Sequence, residues 1–91
     1  MEITDVNVFR VDGERLKGYA TVIFVNAFIV RDLKIIYGNN GLFVAMPNKR
    51  TKNGTYRDIA HPLNNETRKM IEEKIFDVYH TILSKIHNTQ V

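Results

Sequence analysis

The spacing of apolar residues changes at Pro62, and this change constrains the fold more than any other feature of the sequence. Before Pro62, short apolar stretches with strand-like alternation are separated by Asp-Gly and Asn-Gly turn signals. After Pro62, apolar residues recur at helical spacing. The sequence therefore predicts a single α+β domain over residues 1–91, with an antiparallel β-sheet of four or more strands followed by a long C-terminal helix.

Four stretches are rich in the β-branched and aromatic residues that strands favour: residues 2–11, 16–25, 28–37 and 42–46. The connections between them are of hairpin length, which antiparallel pairs can use and parallel pairs cannot. Asp12-Gly13 predicts a hairpin turn that uses a glycine at positive φ, and "GNNG" at 38–41 predicts a tight turn. Arg31 and Asp32, in the middle of the third stretch, predict a bulge or a change of face.

The second stretch has apolar residues on both faces, which predicts a central strand. Ala20, Val22 and Phe24 alternate there with a second set, which is Tyr19, Thr21, Ile23 and Val25.

The helix is predicted over residues 65–87, with Asn64 or Asn65 as its N-cap. Its main apolar face consists of Ile71, Ile75, Val78, Tyr79, Ile82 and Ile86, and a flank adds Met70, Phe76 and Leu83. Such a stripe is wide for a helix that is packed on one side only. We therefore expect it to be buried against both the sheet and a second chain, and we expect the last four residues to fray.

Composition excludes several classes of function. The chain has no Cys, which rules out disulfides, a thiolate nucleophile and a Cys-based zinc site. Its three histidines lack the spacing of a metal site, so no metal is predicted. The N-terminus does not resemble a signal peptide, and no apolar run approaches the ~20 residues of a membrane span. The expected location is the cytoplasm, without membrane association.

The charge distribution is more informative than the net charge of +3. Between Asp32 and Asp58 there is no acidic residue, but five basic ones: Lys34, Lys49, Arg50, Lys52 and Arg57. Four of them surround Asn53-Gly54, which predicts a projecting hairpin with a type I′ turn and arms at 49–52 and 55–57. The cations and Tyr56 could meet phosphates and bases of a nucleic acid. The alternative interpretation is a hairpin whose charges only keep it soluble and whose Tyr56 is a core residue.

A catalytic arrangement of Asp58, His61 and Thr51 can be imagined, as orienter, base and nucleophile. A short chain with one thin core holds catalytic groups poorly and shields them little from water, so no enzyme is predicted. We expect Asp58 to orient Arg57, and His61 to close its loop by a hydrogen bond.

From residue 38 to residue 63, the sequence "GNNGLFVAMPNKRTKNGTYRDIAHPL" resembles the SpoVG family, the stage V sporulation protein G of bacteria. The opening "MEITDVNVFRV" is similar to the family's first strand, and the likeness is looser along the helix. The resemblance implies a small cytoplasmic homodimer with an antiparallel sheet and a C-terminal helix. It implies a role in septation and sporulation control, binding to DNA and in some bacteria to RNA, and neither enzymatic activity nor a cofactor.

The resemblance also implies that basic residues after the A-M-P motif contact nucleic acid, which carries over to Lys49, Arg50 and Arg57. Where many members have Pro-Asp after K-R-T, this chain has Lys52-Asn53, which adds charge to the hairpin. Many members carry an acidic tail, whereas this sequence ends in "KIHNTQV".

The resulting hypothesis is a dimeric regulator that binds nucleic acid through its hairpin. The predicted site residues are Lys49, Arg50, Thr51, Lys52, Tyr56 and Arg57. The alternative is a protein-interaction module of the division machinery, in which the same hairpin meets an acidic protein surface.

Overall fold

The computed structural model describes residues 1–88, and side chains as far as Lys85. Its elements are β1 (Ile3–Arg10), β2 (Leu16–Phe24), β3 (Phe28–Gly38), β4 (Gly41–Ala45), β5 (Asn48–Arg50), β6 (Tyr56–Asp58) and α1 (Asn65–Asn88). The predicted α+β class is therefore confirmed, as is the single long helix after the strands.

The first four strands form one antiparallel sheet in the order β1-β2-β3-β4. Each strand pairs with the next one along the chain, as short hairpin connections require. Strand β2 lies between β1 and β3, which confirms its predicted central position. Strands β5 and β6 form a separate two-stranded hairpin.

The core lies between one face of this sheet and α1. Alternation along β2 buries Ala20, Val22 and Phe24, as predicted. The helix contributes three residues one turn apart, which are Ile71, Ile75 and Tyr79. The other buried core residues are Leu33, Ile35, Val44 and Met46.

Helix α1 begins at a defined cap. The Asn64 side-chain oxygen accepts a hydrogen bond from the Thr67 backbone N–H at 2.7 Å, so Asn64 rather than Asn65 is the N-cap. Met70, Phe76 and Leu83 pack beside the core, whereas Val78 and Ile82 are half-buried. The predicted burial against a second chain stays a prediction. The side chain of Ile86 and the four residues expected to fray lie, wholly or in part, outside the described residues.

Two irregularities shape β3. Its register against β2 shifts between Ala20 and Val22, and Asp32 adopts φ of 64°, which confirms the bulge predicted at Arg31-Asp32. The turn before β3 places Val25 and Asn26 at φ of 46° and 54°, as the central residues of a type I′ turn require.

The β1–β2 hairpin forms as predicted, but its conformational basis is different. Gly13 does not have a positive φ. Among the described glycines, Gly41 and Gly54 do. Five residues, 11–15, separate the two strands, and a loop of this length does not need a left-handed glycine. The predicted turn at 38–41 is confirmed, with Gly41 at φ of 107°.

Candidate nucleic-acid interface

The basic hairpin, residues 48–58, is held at its base. It follows β4 through Met46, which is buried in the core, and Pro47. The Ile59 N–H donates to the Pro47 carbonyl at 2.7 Å, and the Asn48 side chain donates to the Met46 carbonyl at 3.2 Å. The base is therefore fixed to the core, while the rest of the hairpin carries mostly exposed side chains.

The tip of the hairpin differs from the predicted two-residue turn. The Thr51 N–H donates to the Thr55 carbonyl at 2.7 Å, and the Gly54 N–H donates to the Thr51 carbonyl at 3.0 Å. Gly54 has φ of 83°, whereas Asn53 is not at positive φ. This is a three-residue loop with glycine in the left-handed position, not a type I′ turn, so the predicted turn type was wrong.

Because the loop is one residue longer than predicted, the arms of the hairpin have other bounds than the predicted 49–52 and 55–57. They are Asn48–Arg50 and Tyr56–Asp58, and Lys52 lies in the loop instead of on an arm. The hydroxyls of Thr51 and Thr55, the two residues that flank the loop, lie 2.7 Å apart and form a hydrogen bond. Thr55 was not among the predicted site residues. The symmetry of "TKNGT", with a threonine on each side of three loop residues, is the signal that could have identified it.

The register of the hairpin places two cations opposite each other. Lys49 pairs with Arg57, and Arg50 pairs with Tyr56. Like charges directly across an antiparallel pair are destabilising, because their Cβ atoms lie only about 5 Å apart. This pairing therefore weakens the hairpin, and it concentrates positive charge on one face of it.

Arg50 occupies the other face of the hairpin and reaches the tip. A Cβ added at Gly54 would lie 3.6 Å from a guanidinium nitrogen of Arg50. Tyr56 is 68% exposed, so the alternative that placed it in the core is wrong.

All four hairpin cations line one shallow, open depression of about 450 Å³. Its lining consists of Lys49, Arg50, Thr51, Lys52, Arg57, Asp58 and Ile59. Tyr56 is the one predicted site residue outside this lining. The structure therefore brings five of the six predicted residues together around one concavity.

No carboxylate neutralises these cations within the described part of the chain, where Arg10 and Asp12 form the one ion pair. The expected orientation of Arg57 by Asp58 was therefore wrong. Neighbouring residues of a strand point to opposite faces, and this separates the two side chains.

The imagined catalytic residues are not joined by hydrogen bonds. The Thr51 hydroxyl contacts Thr55, and the His61 Nδ1 lies 3.0 Å from the carbonyl oxygen of the next residue, Pro62. This contact is local to two adjacent residues, so the expectation that His61 closes its loop stays a prediction. Among the side chains that the structure describes, which end at Lys85, no group of three His, Asp or Glu residues could hold a metal ion. Nor is any helix of the described chain long and apolar enough to cross a membrane.

A sheet packed on one long helix, with a cationic hairpin attached to it, defines a small α+β domain whose candidate site is a cationic surface. Comparison with known proteins identifies its family. The SpoVG family model matches residues 1–81. The chain belongs to the SpoVG family.

Relatives with similar sequences carry the name "Putative septation protein SpoVG". The protein from Bdellovibrio bacteriovorus is 54% identical over 91 residues, which cover 100% of this chain and 84% of the relative. The one from Anaeromyxobacter sp. strain Fw109-5 is 56% identical over 85 residues, or 93% of this chain and 88% of the relative. The one from Geobacillus thermodenitrificans is 53% identical over 83 residues, or 90% and 86%.

Proposed function

We propose that this protein is a cytoplasmic regulator of septation or sporulation that binds DNA, and also RNA, through the basic hairpin. The names of its relatives support the link to septation. The function is non-catalytic. The observation that carries nucleic-acid binding is the direct opposition of Lys49 and Arg57, since the cost of this pairing is offset when a polyanion lies across both cations.

The chemistry of the hairpin fits phosphate and sugar contacts. An arginine guanidinium can hold a phosphate with two parallel hydrogen bonds, and lysine acts as a point charge. Arg50 and Arg57 lie on opposite faces of the hairpin but line the same depression. Thr51 can add a neutral hydrogen bond, and the exposed ring of Tyr56 can stack on a base.

The regulator acts as a homodimer in this proposal, so that two hairpins engage one nucleic acid. Support comes from the half-buried Val78 and Ile82, which widen the apolar stripe of α1 beyond its contact with the sheet. Linking two sites in one molecule raises affinity, because the second contact becomes intramolecular.

Salt-dependent binding tests the proposed function. Four neutralised phosphates per hairpin contribute about −3.6 to the slope of log affinity against log salt for duplex DNA, so the two hairpins of a dimer give about −7.2, and the double variant Lys49→Ala/Arg50→Ala halves this slope. The matched control is Lys69→Ala/Lys74→Ala, which removes the same charge from exposed positions of α1. Equal slopes in the two double variants would refute the assignment of the hairpin as the contact.

Two further measurements distinguish nucleic acid from the alternative partner of the hairpin, an acidic protein surface. Titration against an acidic polypeptide at two salt concentrations shows whether the protein binds any polyanion or nucleic acid in particular. Pull-down from lysate with and without nuclease shows whether partners are held through nucleic acid. Partners that persist after nuclease treatment, together with no affinity for DNA or RNA, would replace the proposed function by the protein-interaction module.

A further inference from the structure

The face of the four-stranded sheet opposite α1, here called the open face, carries large aromatic side chains. Val8 and Ala20 point toward the core, so strand alternation places Phe9 and Tyr19 on the open face. These two rings are 71% and 40% exposed. No element of the described chain covers them.

The register aligns the aromatic residues into a row across the sheet. Phe9 pairs with Tyr19, Tyr19 pairs with Lys34, and Lys34 pairs with Ala45. The row therefore crosses all four strands, with two adjacent rings and then one cation. Phe43, which is 41% exposed, lies in the neighbouring row opposite Ile36.

The charges on this face favour an anionic occupant. Lys34 is the only charged residue in the aromatic row, and no carboxylate lies in that row with it. Asp5 shares the open face but lies at the other end of β1, and the exposed Asp32 precedes Lys34 by two residues in β3, at the bulge. A second copy seated on the row would bury the Lys34 ammonium without a carboxylate of the row to pair with it, which is costly.

The row also leads toward the basic hairpin. Ala45 is the last residue of β4, and Met46 and Pro47 connect it directly to β5. Chain connectivity therefore places the base of the cationic hairpin next to the end of the row that carries Lys34.

We propose that the open face binds the unpaired bases of single-stranded nucleic acid, which stack on Phe9 and Tyr19 while Lys34 and the hairpin hold the phosphates. Aromatic rings on adjacent strands of an exposed sheet are a surface on which successive unstacked bases can lie. The inference rests on the proposed function and narrows it, because duplex bases cannot reach such a platform.

Replacement of each ring by an aliphatic side chain tests the inference. Phe9→Leu and Tyr19→Leu each weaken binding of a mixed-sequence single strand, as DNA or RNA, by about fivefold or more. Binding of the matching duplex is unchanged, and so is the salt slope. Tyr19→Phe retains the ring and restores affinity. The matched control is Tyr37→Leu, since Tyr37 is 55% exposed but lies on the helix side of the sheet, opposite Leu42.

The outcomes separate this inference from the proposed function. If the wild-type protein binds neither single strands nor duplex, both fail. If it binds, but Phe9→Leu and Tyr19→Leu behave like Tyr37→Leu, the inference alone fails. Sedimentation across a range of protein concentrations supplies the last comparison. If Phe9→Ala and Tyr19→Ala dissociate the protein into monomers, the open face is an interface between copies of this chain and the inference is overturned.

Discussion

Replacing Lys49 by glutamate should stabilise the basic hairpin and weaken nucleic-acid binding at the same time. Lys49 lies directly opposite Arg57, so the substitution turns a like-charge pair into an attractive one. For charges about 5 Å apart at the dielectric constant of water, the repulsion amounts to about 0.8 kcal/mol. The substitution removes this repulsion and adds an attraction of similar size, about 1.6 kcal/mol in all. Because long exposed side chains realise only part of such energies, we expect a net gain of about 0.5–1 kcal/mol.

Hydrogen exchange measures this gain at the hairpin itself. The Thr51 amide bonds the Thr55 carbonyl inside the hairpin, so its exchange reports hairpin opening. A gain of 0.5–1 kcal/mol slows that exchange by about two- to fivefold at low ionic strength. At about 1 M salt, where the screening length falls to about 3 Å, the difference should largely disappear.

The matched control is Lys52→Glu. It makes the same charge change in the same hairpin, but Lys52 lies in the loop and has no opposing cation across the ladder. Both variants should weaken nucleic-acid binding, whereas Lys49→Glu alone should protect the Thr51 amide. Two results would refute the argument that Lys49 and Arg57 repel each other across the hairpin. One is equal protection of the Thr51 amide in both variants, and the other is protection by Lys49→Glu that persists in high salt.

Three further predictions concern the stability of the scaffold, each measured by urea denaturation. Val25→Asn should raise the free energy of unfolding by about 1 kcal/mol, because Val25 is β-branched at φ of 46°, while Ala27→Gly in the same turn should lower it slightly. Asn64→Ala should lower it by about 1 kcal/mol through loss of the bond to Thr67, and Asn65→Ala should change it much less. Ile75→Ala should cost about 2–5 kcal/mol, because Ile75 is 0% exposed in the core. A loss below 1 kcal/mol at Ile75 would show that α1 is not packed as described.

The fold could be predicted because each of its main signals has a single structural interpretation. Alternation in β2 and helical spacing after Pro62 are incompatible with one another, so the boundary between sheet and helix was visible. Arg31 and Asp32 in an otherwise apolar strand predicted a bulge or a change of face, and the structure shows the bulge, with Asp32 at a left-handed φ.

The hairpin tip could not be predicted, because Asn-Gly suits more than one turn. Asn53 and Gly54 can both take positive φ in a two-residue loop, or Gly54 alone can do so in a three-residue loop. The choice depends on how Thr51 and Thr55 pair, which is a contact between residues that a dipeptide signal does not include. One residue of loop length decides which cations face each other, so the opposition of Lys49 and Arg57 follows from the structure alone.

The two proposed contact surfaces have the same physical origin, since each departs from what folding alone would favour. A hairpin selected only for stability would place opposite charges at 49 and 57, and a sheet face selected only for solubility would not leave Phe9 71% exposed. Departures from local consistency concentrate at functional sites, where a partner offsets their cost. A polyanion with exposed bases is a partner that offsets both departures, because its phosphates relieve the paired cations and its bases cover the rings.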